Sequence, residues 1–112
     1  MEIKLWQVRI RQNALVKGFG DKRTFGEYIA LVHSELSEAL EEYRNGNMDK
    51  GYEDSVYYGP DGKPEGVGIE LADAAIRIMD MCENYGIDLE KCIRIKHGYN
   101  ITRPYKHGGK VI

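Results

Sequence analysis

The chain has 112 residues, 30% of them charged, with a formal net charge of −2. That length builds one domain, residues 1–112, able to bury roughly two thirds of the surface its unfolded form exposes. The near balance of charge leaves no broad basic face for a nucleic-acid backbone or an anionic membrane. No apolar run approaches the roughly 18 residues of a membrane span, and the opening MEIKLWQVRI lacks the charged-then-apolar layout of a signal peptide. A cytoplasmic protein is expected, with Cys82 and Cys92 as free thiols.

Four helical stretches divided by punctuation predict an all-α, four-helix-bundle-like fold. The first runs from Ile3 to Lys17 and is stopped by GFGDK. Trp6, Ile10, Asn13 and Lys17 share one of its faces, setting an aromatic surface, an amide and a cation in line. Such a row can stack a base, although a lone tryptophan at helical spacing more often enters a core. The second helix opens at Thr24 with TFGE, a capping box, and reaches Arg44 before NGN. Phe25, Ile29, Val32, Leu36, Ala39 and Tyr43 read as its core stripe, with Glu41 on the solvent side. Glu35, Glu38 and Glu42 continue the row of Tyr28 and Leu31 along the stripe's edge.

The segment MDKGYEDSVYYGPDGKPEGVG carries two short strand signals around a Pro-Asp-Gly turn. A small hairpin or ordered lid is expected between the second and third helices, with residues 52–66 closing over a ligand. The third helix, about Gly68 to Asn84, is apolar over more than half its circumference, which calls for a homo-oligomer. Its narrow polar arc holds Glu70, Asp73, Arg77 and Asp80. Glu70-x-x-Asp73 therefore mirrors Glu35-x-x-Glu38, and antiparallel packing of the two helices makes four carboxylates converge.

Four convergent carboxylates stay ionised in a partly dry site only beside a cation. Oxygen-only ligands favour Mg²⁺, with Mn²⁺ possible. The lack of a Glu-x-x-His pair turns away from ferritin-like diiron chemistry. The plainer alternative is an Asp73–Arg77 ion pair and solvated glutamates. The fourth helix, capped by Asp88 and ended by Pro104, sets Lys96, Asn100 and Arg103 in a row, either to hold phosphate or as a solvated basic helix end. The tail HGGKVI can bring Lys110 and glycine amides to phosphates, or fray. His33 and His97 read as surface residues.

The ordered set Glu35, Glu38, Glu70 and Asp73, with IELADAAIRIMD around the second pair and KHGYNITRPYKHGGK after it, resembles the MazG-like all-α nucleoside triphosphate pyrophosphohydrolases. Their signature pairs Glu-Glu-x-x-Glu on one helix with Glu-x-x-Asp on the next. Ser34 stands where many members carry a further glutamate, and the interval between the two pairs is longer than usual.

The resemblance implies a MazG-type fold and hydrolysis of a (d)NTP to (d)NMP and pyrophosphate. It implies Mg²⁺ or Mn²⁺ on Glu35, Glu38, Glu70 and Asp73, with Glu35 or Glu38 as base, and a dimer or dimer of dimers. Substrate contacts are expected from Trp6, Asn13, Lys17, Lys96, Tyr99, Asn100, Arg103 and Lys110. Two other functions compete: a non-catalytic helical oligomeric interaction module with an acidic edge, and a phosphoribosyl-ATP-type pyrophosphohydrolase.

Overall fold

In chain order the elements are α1 (Ile3–Val16), α2 (Phe25–Arg44), α3 (Tyr52–Ser55), β1 (Tyr57–Tyr58), β2 (Pro64–Glu65), α4 (Val67–Asn84) and α5 (Leu89–Thr102). They come from a computed structural model that describes residues 2–19 and 23–105. The all-α expectation holds. The third and fourth expected helices are α4 and α5, and the single turn α3 is an addition.

Local chemistry sets the helix limits. The Thr24 hydroxyl accepts from the Glu27 amide at 3.1 Å, while the Glu27 carboxylate accepts from the Thr24 amide at 3.1 Å, closing the capping box of α2. The Asp88 carboxylate accepts from the Lys91 amide at 3.1 Å to open α5, which stops ahead of Pro104. Gly86, at φ 69°, lets the chain leave α4 while the Ile87 amide reaches back to the Cys82 carbonyl at 2.8 Å.

α2 and α4 pack antiparallel. At one end the rings of Phe25 and Tyr28 meet Tyr85 edge-on, with centroids 5.4 and 6.1 Å apart. Further along, Glu35 of α2 meets Arg77 of α4. Tyr28, Ala39, Val67, Ala74, Met81 and Cys82 form the buried apolar centre. α1 lies on α4 through polar side chains. Fully buried Gln7 donates to Glu83 at 2.9 Å and to the Ile87 carbonyl at 2.7 Å. Buried Arg11 donates to Asp80 at 3.2 Å, Tyr28 at 3.2 Å and Asn84 at 2.9 Å.

The core stripe expected of α2 is corrected in part. Ala39 is buried as expected and Ile29 and Val32 are half-buried, but Phe25, Leu36 and Tyr43 are exposed, while Tyr28 and Glu35 of the neighbouring row are buried. α4 meets α2 along the row taken for the stripe's edge, so the carboxylates on that row turn inward and the outer apolar residues stay uncovered within one chain. α5 buries none of its residues. The radius of gyration, 16.7 Å, exceeds the roughly 13 Å of a compact domain of about this length.

The expected hairpin is present, with Tyr57 opposite Glu65 and Tyr58 opposite Pro64. Gly66, at φ 118°, joins it to α4; a Cβ there would run into the Ser55 carbonyl. No helix among the described residues is long and apolar enough to cross a membrane.

Candidate functional site

The antiparallel pairing of α2 and α4 brings three glutamates together. One carboxylate oxygen each from Glu35, Glu38 and Glu70 lies within 4.8 Å of the others. Glu35 and Glu38, one turn apart on α2, face the first turn of α4, whose fourth residue is Glu70. Glu35 is buried, Glu70 half-buried and Glu38 exposed at the mouth. Glu38, Glu42 and Glu70 also border a hollow of about 250 Å³ that opens from the cluster.

Arg77 is the cation that reaches the cluster, its Nε donating to Glu35 Oε1 at 2.8 Å. Burial opposes charge on Glu35, yet hydrogen bonds from Arg77 and Glu70 hold its pKa below the usual carboxylate value. Glu70 goes the other way. Burial, then the neighbouring Glu38 and Glu35 carboxyls, push it up to about 8, so that at neutral pH it keeps a proton. Its Oε2 is buried without a hydrogen-bond partner. A buried, unpaired carboxyl oxygen beside two further carboxylates is a costly arrangement unless a cation enters.

Asp73 follows one turn after Glu70 but lies outside the trio that shares the 4.8 Å cluster. Burial and the charge of Glu35 raise its pKa, so it feels the same negative field. It makes no ion pair with Arg77 among the described residues, and the plainer alternative for these two side chains gives way to an Arg77–Glu35 pair. Glu41 is exposed and pairs with Arg44 at 3.8 Å, yet it also borders the hollow beside Glu38 and Glu42. Asp80, on the same polar arc of α4, serves Arg11.

The substrate residues expected from sequence divide into two groups. Trp6, Asn13 and Lys17 line one groove of about 530 Å³ between α1 and α4, with Arg77 and Ile76 on its α4 side. Trp6 is 46% exposed, so it forms groove wall and not core. Lys96, Tyr99, Asn100 and Arg103 lie on α5, away from the glutamates: no hydrogen bond or ion pair joins them to Glu35, Glu38, Glu70 or Asp73 among the described residues. Instead the Lys96 ammonium and the Arg103 guanidinium sit 5.0 and 5.6 Å from the Tyr99 ring centre. Lys110 lies outside the described residues.

Of three further participants, Arg9 carried no signal in the sequence, and the partners of Arg77 and Tyr57 were not legible there. The plainer alternative pairs Arg77 with Asp73, because i,i+4 spacing is visible in a sequence and a contact across helices is not. Arg9 also lines the groove, without a periodic signal of its own. The Tyr57 hydroxyl donates to both oxygens of Glu42, at 2.8 and 3.0 Å, tying the hairpin to α2 next to the cluster. Hydrogen bonding to that carboxylate raises the Tyr57 pKa to about 12.

Comparison with known proteins returned no match: no family model, no curated protein and no solved structure matches the chain.

Proposed function

We propose that the protein is a divalent-cation-dependent nucleoside triphosphate pyrophosphohydrolase, converting a (d)NTP and water to the (d)NMP and pyrophosphate. The observation that supports it best is Glu70, a carboxyl that keeps its proton beside Glu35 and Glu38 and leaves a buried oxygen unpaired. The donor set suits Mg²⁺ or Mn²⁺. One oxygen each from Glu35, Glu38 and Glu70 within 4.8 Å of the others is an all-oxygen donor set that would fit such a hard ion. Glu35, Glu38 and Glu70 would hold the ion, with Asp73 adding charge from the next turn. When bound, the ion screens the triphosphate and favours attack at phosphorus.

The chain's own residues supply the rest. Arg77 fixes Glu35 in its ionised, oriented form. Glu38 is exposed at the mouth, where it can take the proton of the attacking water. Glu70 gives up its proton as the site fills. The resemblance to MazG-like enzymes, carried by Glu35, Glu38, Glu70 and Asp73, selects cleavage between the α- and β-phosphates among the reactions such a site can run.

In this reading the protein acts in the cytoplasm as a homo-oligomer. Leu36, Leu40 and Tyr43 of α2 and Ile93, Ile95 and Ile101 of α5 are all exposed in the single chain. A 14-residue helix that buries nothing is marginal alone, and a second copy lying on α2 and α5 would cover both rows. That copy could also carry its Lys96 and Arg103 toward the neighbour's carboxylates. Sedimentation at micromolar concentration is expected to give a dimer or tetramer; a stable monomer contradicts this assembly.

The deciding experiment is pyrophosphate release from the eight common NTPs and dNTPs and from phosphoribosyl-ATP, with Mg²⁺, Mn²⁺ or excess EDTA. Pyrophosphate as first product, lost in EDTA, is expected. Orthophosphate as first product, or no turnover of any triphosphate, overturns the proposal. Turnover confined to phosphoribosyl-ATP points to the biosynthetic alternative.

A further inference from the structure

The groove between α1 and α4 and the acidic cluster share one side chain. Arg77 gives its Nε hydrogen to Glu35 at 2.8 Å and also lines the groove. Its two terminal nitrogens, which carry the other N–H donors of the guanidinium, make no hydrogen bond to a described residue, and neither is buried without a partner. One edge of the fork is fixed on Glu35; the other remains for a ligand.

The surroundings say which ligand chemistry fits. Arg9, Lys17, Arg23 and Arg77 line the groove, and the one acidic residue on its wall among the described residues, Asp80, is already held by Arg11 at 3.2 Å. Trp6 supplies an aromatic wall. A purely apolar ligand would leave the cations unpaired, and a bare inorganic anion would leave the tryptophan face wet. A planar ring carrying a phosphate satisfies both, and a volume of about 530 Å³ lies in the range of small-ligand sites.

We propose that this groove binds the nucleoside monophosphate part of the substrate, with the base against Trp6 and its phosphate on the free edge of Arg77. The assignment rests on the pyrophosphohydrolase reading and extends it by giving Arg77 two tasks. It binds phosphate, and it positions that phosphate one side chain away from Glu35. Lysine cannot replace it, because a single ammonium lacks a second edge with which to hold a carboxylate and a phosphate at once.

Trp6 is the only tryptophan in the chain, so its fluorescence reports the groove directly. The test titrates AMP, GMP, CMP and UMP into the full-length protein in EDTA. A saturable change is expected for at least one of them, with adenosine and inorganic phosphate binding at least about tenfold more weakly. Arg77→Gln is expected to weaken the monophosphate at least about tenfold and Arg77→Lys several-fold, with unchanged circular dichroism. Lys17→Gln, which leaves the Arg77–Glu35 pair intact, is expected to weaken it several-fold. No response to any monophosphate, or affinities unchanged in both Arg77→Gln and Lys17→Gln, overturns the assignment. So does a Trp6 signal that follows protein concentration and ignores nucleotide, which would put a second copy of the chain in the groove. Pyrophosphate release in Mg²⁺ without a cation-free Trp6 response sinks the groove alone; a Trp6 response without pyrophosphate release sinks the pyrophosphohydrolase reading alone.

Discussion

α4 carries a buried polar group toward each of its ends, and the two are opposites in how they are satisfied. Toward its C-terminus Arg11 meets Asp80, Tyr28 and Asn84, and cation, carboxylate, phenol and amide answer one another. Toward its N-terminus Glu35, Glu38 and Glu70 gather with Arg77 as the one cation paired with them among the described residues, leaving an oxygen of Glu70 unpaired. The first group is complete and holds α1 in place. The second is short of positive charge. Polar burial alone therefore does not mark a site; an unmet charge requirement does.

The largest expected effect is on turnover. Glu38→Gln and Glu70→Gln should each reduce pyrophosphate release about a hundredfold or more, with the far-ultraviolet circular dichroism retained. Glu53→Gln, at an exposed position of α3, should change it less than about threefold. Equal losses in all three would erase the distinction between the cluster and the acidic surface.

Stability should divide the two groups in reverse. Arg11→Met leaves Asp80 buried without its cation and should cost about 3–5 kcal/mol in urea unfolding. Glu70→Gln, in the cation-free protein, should be neutral or stabilising, since it replaces a group already held neutral. A cost for Glu70→Gln matching that of Arg11→Met would mean that the cluster is structural.

A subtler contrast lies in pH. Glu70 binds its proton more tightly folded, with a pKa of about 8, than at its ordinary 4.5. The folded state therefore holds the extra proton between these values, and cation-free stability should fall as pH rises from about 4.5 to 8. Asp73, also raised, adds to the decline at the acidic end. Glu35 is lowered, so its contribution is present above 4.5 and is lost as pH drops below it. Thermal melts in EDTA should show a decline toward pH 8 that Glu70→Gln flattens. An unchanged slope in that variant would place the proton elsewhere.

How much of this was legible follows from the range of each signal. Helix limits were readable because caps are local: Thr24 with Glu27, and Asp88 before Leu89, lie within one turn of what they satisfy. The hairpin was readable from its turn residues. Convergence of Glu35, Glu38 and Glu70 followed from periodicity once the two helices were taken as antiparallel. The inward face of α2 was misread because the stripe of Phe25, Leu36 and Tyr43 was the more apolar one, yet α4 covers the Tyr28–Glu35 row instead. The inward face of α1 was hidden for a related reason: Gln7 and Arg11 are polar, and hydropathy cannot distinguish a buried hydrogen-bonding residue from a solvated one.

Cation binding with its proton count tests the central claim most directly. Mn²⁺ would be titrated calorimetrically at pH 7 in buffers of different ionisation enthalpy, then again near pH 9. Filling the cluster must displace the Glu70 proton, so close to one proton should be released per site at pH 7 and almost none near pH 9. Both the tight binding and the release should disappear in Glu70→Gln. Failure of the wild-type protein to bind Mn²⁺, or binding and release unaltered by Glu70→Gln, would contradict the account.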